Sequence, residues 1–312
     1  MQKTLRQNIS LEGIGLHSGK PSKVTLSPAP VDSGIVFRRK ANGHMESCQA
    51  SIRNIRPMEL CTTIGSNGFQ IQTTEHVLSA LWGMSIDNAY IDIDSEEVPA
   101  MDGSAAAFVK MIHAAGIVSQ ERPRTYLKIV KPLHVGDHRR GVSVLPSTTP
   151  KITYSIEYDH TLIQQQTYEY EWSPETFQDH IAEARTFAFS HEIEALWARG
   201  LGQGGSLDNT IVFSESGILN EQGLRFPDEC VRHKVLDLIG DISLLGVPII
   251  GHIFADRSGH FLHNQLVQMI LDNPETWILI GSHDFEWADF SNESMNGKEA
   301  MHSVPLSANS AA

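Results

Sequence analysis

Apolar and polar positions alternate with a period of two along several short stretches near the start of the chain, and the period then turns helical. Residues 24–26 and 35–38 read as strands. Residues 61–64 and 69–71 read as a hairpin joined through Asn67-Gly68. A helix is predicted from about residue 74 to 83, with Thr73 or Thr74 as N-cap. In the strand that follows, Ala89, Ile91 and Ile93 alternate with Tyr90, Asp92 and Asp94. A loop over 98–103 leads to a second helix from about Ser104 to Ala115, stopped by Gly116.

The second half repeats this order. Ile152, Tyr154, Ile156 and Tyr158 share one face of a strand. Ser173-Pro174-Glu175 starts a helix, with Ser as N-cap and Pro at the first helical position. Asp228 is set to cap a helix running to about Leu245, followed by a strand over 248–255. A turn at Arg257-Ser258-Gly259 precedes a last helix over about 261–271. The repetition predicts two similar α+β domains, 1–120 and 125–285, divided near 119–124, where Glu121-Arg122-Pro123-Arg124 reads as a linker. Residues 190–214, with the run Gly200-Leu201-Gly202-Gln203-Gly204-Gly205, read as an insertion with its own short helix and strand. The polar tail, 286–312, is expected to be disordered.

A length of 312 residues with 41% hydrophobic positions suits two medium-sized cores. No stretch of about 18 apolar residues occurs, so no spanning helix is expected. The first 16 residues lack the apolar region of a signal peptide, which makes the cytoplasm the expected compartment. Cys48, Cys61 and Cys230 are an odd number without Cys-x-x-Cys spacing, so a disulfide framework and a thiolate zinc finger are disfavoured. Any metal would be held by His and carboxylate. A net charge of −13 disfavours nucleic acid as a partner, while a few converging Lys and Arg could still bind a small anion.

His233 and Asp237 lie four apart on one predicted helix, so both can reach one ion. With 15 histidines in the chain, chance supplies roughly one such pair, and the pair alone is a weak signal. Val231, Val235, Leu238, Ile242 and Leu245 form the opposite stripe, which predicts that the pair faces outward. Glu75 and His76 open the matching helix of the first half. Neighbouring side chains on a helix diverge by about 100°, so one suits a ligand and the other a base. A pseudo-two-fold arrangement would bring the two helix starts together. Two His and one carboxylate would then leave a coordination position open for chemistry. His260, after the Ser258-Gly259 turn, can reach a cleft, with Asp241 placed to orient it. Taken alone, Thr186 reads as a helix-end cap, and Met101-Asp102-Gly103-Ser104 as a turn with an N-cap.

Several motifs together are far more specific. They are Gly13-Ile14-Gly15-Leu16-His17-Ser18-Gly19, Leu60-Cys61-Thr62-Thr63, Thr74-Glu75-His76 and Met101-Asp102-Gly103-Ser104-Ala105. Ala184-Arg185-Thr186-Phe187, Gly204-Gly205-Ser206, the run 231–241 and Ser258-Gly259-His260 follow. In this order, over about residues 1–285, the chain resembles the UDP-3-O-acyl-N-acetylglucosamine deacetylases of lipid A synthesis. The resemblance implies two α+β domains with helices sandwiched between outer sheets and the site at their junction. It implies His76, His233 and Asp237 as ligands of Zn2+, with Fe2+ as the alternative ion, and Glu75 as general base. It implies catalytic roles for His260, backed by Asp241, and for Thr186 and Lys234. Leu60, Cys61, Thr62, Tyr158, Phe187, Phe189, Ile193, Gly205, Leu207, Val212 and Arg257 map to substrate contacts, with Ile193, Leu207 and Val212 around an acyl-chain passage. Arg257 and Ala188 stand where Lys and Gly are common in relatives. The implied partner is a UDP-linked acylated amino sugar met by a monomer, with at most transient contact with a membrane surface.

Two His and one carboxylate also make the facial triad of Fe(II) oxygenases, a rival that the adjacent Glu75 disfavours because an oxygenase has no use for a hydrolytic base. A non-catalytic descendant that only binds nucleotide sugars is disfavoured by the presence of both Glu75 and His260.

Overall fold

The computed structural model describes residues 1–281 apart from 42, 58 and 67. The expected tail over 286–312, the end of the 125–285 unit and Asn67 of the hairpin turn therefore lie outside the described residues.

Each half is built on a five-stranded sheet of the same order. In the first, the central strand Ala89–Ile93 runs antiparallel to Pro21–Pro28 and parallel to Ile35–Ala41. Ile9–Ile14 and His44–Gln49 close its two edges. In the second, His252–Asp256 runs antiparallel to Gly141–Leu145 and parallel to Lys151–Tyr158, with Leu133–Gly136 and Gln164–Glu171 at the edges. Alternation explains the faces. Val24, Leu26, Phe37, Ile91 and Ile93 are buried in one sheet, and Val142, Val144, Ile152, Tyr154 and Ile253 in the other.

Six α-helices belong to the described residues: α1 Glu75–Gly83, α2 Ala106–Ala115, α3 Pro174–His180, α4 Ile193–Ala198, α5 Glu229–Ile242 and α6 His260–Asp272. α2 packs towards the first sheet, α5 and α6 towards the second, and α1 lies against α5. This is an α+β fold of two domains with helices between the sheets. The α1–α5 approach is close enough to demand glycine: a Cβ on Gly240 would fall 2.2 Å from the Glu75 carbonyl oxygen.

Several expected bounds shift for local reasons. The hairpin begins at Thr63, because Cys61 and Thr62 turn inward onto the start of α1. Thr74 is the N-cap by position, yet its hydroxyl donates to the Thr62 carbonyl (3.0 Å) instead of capping. α2 begins at Ala106, where the Ser104 hydroxyl accepts from the Ala106 amide (3.1 Å). α5 ends at Ile242 and tightens into a 3-10 turn, Ser243–Leu245. The strand expected over 248–255 divides at Gly251. Ile249–Ile250 pairs with Thr125–Ile129 in a separate sheet, and His252–Asp256 joins the five-stranded one.

The outward face expected for the polar side of α5 is corrected. His233, Asp237 and Asp241 are all buried, because that side is covered by α1 rather than by water. The helix starts do not meet end to end either: the start of α1 sits against the middle and last turns of α5.

Candidate active site

Three side chains from two helices converge. His76 Nε2 lies 3.6 Å and His233 Nε2 3.3 Å from Asp237 Oδ1, and the two rings meet edge to face at 5.1 Å between centroids. All three are buried, with their ligand atoms within 4.8 Å of one another. His233 Nδ1 lies 3.0 Å from the Ala184 carbonyl. A carbonyl can only accept, so Nδ1 carries the proton and the Nε2 lone pair faces the cluster. Burial pushes the His233 imidazole down to about 3, which keeps it neutral. The Ala184 carbonyl is held in place by its neighbour: Arg185 donates through its amide (3.0 Å) and Nε (2.8 Å) to Glu229, the buried first residue of α5.

Burial opposes the charge on Asp237, and the neighbouring His233 and Lys234 overcome it and hold the carboxyl well below its usual range. Lys234 Nζ donates to Asp237 Oδ2 at 2.5 Å. Burial works against the Lys234 charge as well, but Asp237 raises its affinity for the proton, so Lys234 stays cationic. Two imidazoles beside a committed carboxylate are a donor set suited to a divalent transition metal.

Glu75, one residue before His76, is 3% exposed. Its Oε2 accepts from the Thr62 amide (2.9 Å). Burial raises its pKa above the ordinary carboxylate value, against the pull of His260 and His76. His260 opens α6, with Nδ1 2.8 Å from Asp241 Oδ2. Burial disfavours the imidazolium, but Asp241 more than compensates and lifts His260 to about 9. Asp241 itself is held well below the usual range, despite burial, by His260 and His263.

The mapped substrate contacts divide. Tyr158, Phe187 and Phe189 pack ring on ring, with centroid separations of 5.5 Å from Tyr158 to each phenylalanine. Ile193 is half-buried, Gly205 and Leu207 are exposed, and Leu60 is 56% exposed with φ +64°, a strained position for a leucine. Three of the mapped residues, Cys61, Thr62 and Val212, are buried. The Thr62 side chain is buried and its hydroxyl donates to Asp241 Oδ1, so it is spent inside the protein. Cys61 is buried, which pushes its thiol up to about 12. Val212 is 5% exposed and pairs with Ala188 in a parallel ladder. Arg257 is exposed but already paired with Glu157 (2.8 Å) and Asp256 (3.1 Å). The Thr186 backbone is tied on both sides, its amide donating to the Gly103 carbonyl and its carbonyl accepting from Ile211. The 101–104 turn does what a turn does: Ser104 donates to Asp102 Oδ1 (2.8 Å). Gly103 has φ +79°, and a Cβ there would strike the Asn209 carbonyl.

Two histidines near the site escaped sequence reasoning. His17 is buried close enough to His260 and His76 for their charges to depress its pKa, after burial has done so. It lies in the 13–19 motif. His263 donates through Nδ1 to Asp241 Oδ2 at 2.7 Å. Its signal was its position three residues beyond His260, on the same face of α6.

A buried cluster that could hold a metal ion stands beside a buried carboxylate on a two-domain α+β scaffold. The family model described as UDP-3-O-acyl N-acetylglycosamine deacetylase matches residues 2–272, and the chain belongs to this family. It is 45% identical over 300 residues, 96% of each chain, to a protein of Syntrophotalea carbinolica named UDP-3-O-acyl-N-acetylglucosamine deacetylase. Proteins of that name from Syntrophus aciditrophicus (44% over 276 residues, 88% of each chain) and Myxococcus xanthus (43% over 279, 89% of each) are also similar.

Proposed function

We propose that this chain hydrolyses the N-acetyl group of a UDP-3-O-acyl-N-acetylglucosamine, releasing acetate and a free amine, in lipid A synthesis in the cytoplasm. The observation that carries the reading is the convergence of His76, His233 and Asp237 with Glu75 in the adjoining position. Family membership supplies the substrate class. The proposed boundary between the two units falls near 119–124, with the site between them.

His76, His233 and Asp237 would hold the ion, Zn2+ first and Fe2+ as the alternative. When bound, the metal supplies Lewis-acid polarisation of the amide carbonyl and of water. Glu75 takes the water proton as the water oxygen attacks the acetamide carbon; its raised pKa makes it a base strong enough for the task. The oxyanion that develops is met by the Thr186 side chain and the His260 imidazolium. The C–N bond breaks as the amine gains a proton from Glu75 or His260. Lys234 keeps Asp237 ionised. Tyr158, Phe187 and Phe189 offer aromatic surface to the nucleotide-sugar side, and Ile193 and Leu207 flank the path of the acyl chain.

The test is direct. Purified protein given the acylated UDP-N-acetylglucosamine should release acetate and an amine in equal amounts, and lose the activity with a strong chelator. Absence of amine release by the metal-loaded protein would overturn the assignment.

A further inference from the structure

We propose that His263 is a positioning residue for the acid dyad, fixing Asp241 so that its carboxylate holds His260 in one orientation; this rests on the deacetylase reading above. Asp241 is wholly buried and accepts three side-chain hydrogen bonds. The Thr62 hydroxyl donates to Oδ1. His260 and His263 both direct Nδ1 at Oδ2, at 2.8 and 2.7 Å. A carboxylate held by one donor can pivot about its Cβ–Cγ bond; donors on both oxygens fix its plane. His260 and His263 are three apart on α6, so one helix face delivers both rings to the last turn of α5.

The far side of His263 is built to keep it a neutral donor. Its Nε2 lies 2.9 Å from Ser258 Oγ and 3.3 Å from the Tyr154 hydroxyl. Tyr154 donates to the Ser258 carbonyl (2.9 Å), so its oxygen accepts from the Ser258 hydroxyl (3.0 Å). The same Ser258 hydroxyl stands 2.9 Å from His263 Nε2, where turning its proton to the ring gives Nε2 the donor that a neutral Nδ1–H tautomer needs. The groups facing His263 are Asp241 and Lys234 of α5, Tyr154 of the second sheet and His260 of its own helix. Those facing His260 are Asp241 and Asp237 of α5, Glu75 of α1, His17 and His263. One carboxylate charge thus serves one imidazolium, and His263 donates a hydrogen bond without adding a second positive charge. By taking part of the Oδ2 negative charge, it also moderates the hold of Asp241 on the His260 proton.

The test compares His263→Leu with His263→Asn, whose amide nitrogen can stand close to where Nδ1 was. His263→Leu should lower kcat on the order of tenfold with KM changed by less than about twofold, as for a supporting residue. The basic limb of its pH profile should move to higher pH. His263→Asn should recover most of the rate and the original limb. A leucine variant with wild-type kcat and profile would overturn the proposal. So would equal defects in both variants with metal content and circular dichroism intact. Should the leucine variant fail to fold, long-range nitrogen NMR of the unaltered protein decides: His263 should be the neutral Nδ1–H tautomer from pH 6 to 8, and an Nε2–H or cationic form would refute it. That spectrum needs no turnover, so it separates failure of this inference from failure of the deacetylase reading.

Discussion

Lys234 Nζ occupies Asp237 Oδ2 at 2.5 Å, while Oδ1 of the same carboxylate faces His76 and His233. The two oxygens are therefore divided between a fixed cation and the ligand cluster. His76, His233 and Asp237 would hold a metal here, and Lys234 would keep the Asp237 carboxylate ionised and in place. Lys234→Met should keep the fold, because the side chain is partly exposed, but should weaken metal retention on the order of tenfold. Competition with a chelator of known affinity measures this. Unaltered retention in Lys234→Met would show that the lysine does not support the ligand.

The Glu75 and His76 variants separate base from ligand. Glu75→Ala should retain about one metal per chain and lose roughly 10²- to 10⁴-fold in kcat. His76→Ala should lose both, since only two ligands would remain. Metal analysis of the purified variants beside their rates checks the division. A metal-free Glu75→Ala protein would reassign that residue.

Much of this was legible in the chain because the chemistry sits on regular elements. The i, i+4 spacing of His233 and Asp237 and the Glu75-His76 pair at a helix start needed only helical geometry and a repeat. The direction in which α5 faces was not legible. Its apolar stripe was correct, but a second helix covering the polar side produces the same sequence pattern as water would. The burial of Val212 was equally illegible: an apolar residue in an inserted segment can be exposed or covered, and here it is 5% exposed. His263 was missed because its role depends on Asp241, 22 residues away.

The pH dependence follows from two raised pKa values. Glu75 must be ionised to act as base, and burial raises its pKa, so the acidic limb should lie above the ordinary carboxylate range. His260 must be protonated, and its value near 9 keeps it so through neutral pH. Activity should fall as pH rises through that value. Because the folded pKa lies above the ordinary imidazole value, the same ion pair stabilises the fold fully below about 6.5. That contribution fades as pH rises through about 9. Asp241→Asn removes the charge that lifts His260, so its basic limb should move to lower pH. Rate profiles of the two proteins, with apparent values assigned to the coupled site, provide the check. A fixed basic limb in Asp241→Asn would remove His260 as the acid that limb reports.

The acyl chain supplies the last test, and the structure changes which residues should be used for it. An acetamide and a sugar offer little apolar area, whereas each methylene buried can contribute about 0.8 kcal/mol. A substrate without the 3-O-acyl group should therefore lose several powers of ten in kcat/KM, although ordering the chain offsets part of the gain. Ile193 is half-buried on α4 and Leu207 is exposed in the following loop, so both can meet a ligand without opening the core. Ile193→Trp and Leu207→Trp should weaken long-chain substrates more than short-chain ones. Val212→Trp should behave differently. Val212 is packed within the Phe187–Phe189 and Ile211–Ser214 ladder, and overpacking such a position costs roughly 1–3 kcal/mol. Its effect should appear as a lower melting temperature, with losses for short and long chains alike. A chain-length series run on the three variants, beside thermal unfolding, distinguishes the two behaviours. Equal kcat/KM for acylated and unacylated substrate in the unaltered protein would refute the passage and the lipid branch of the assignment with it.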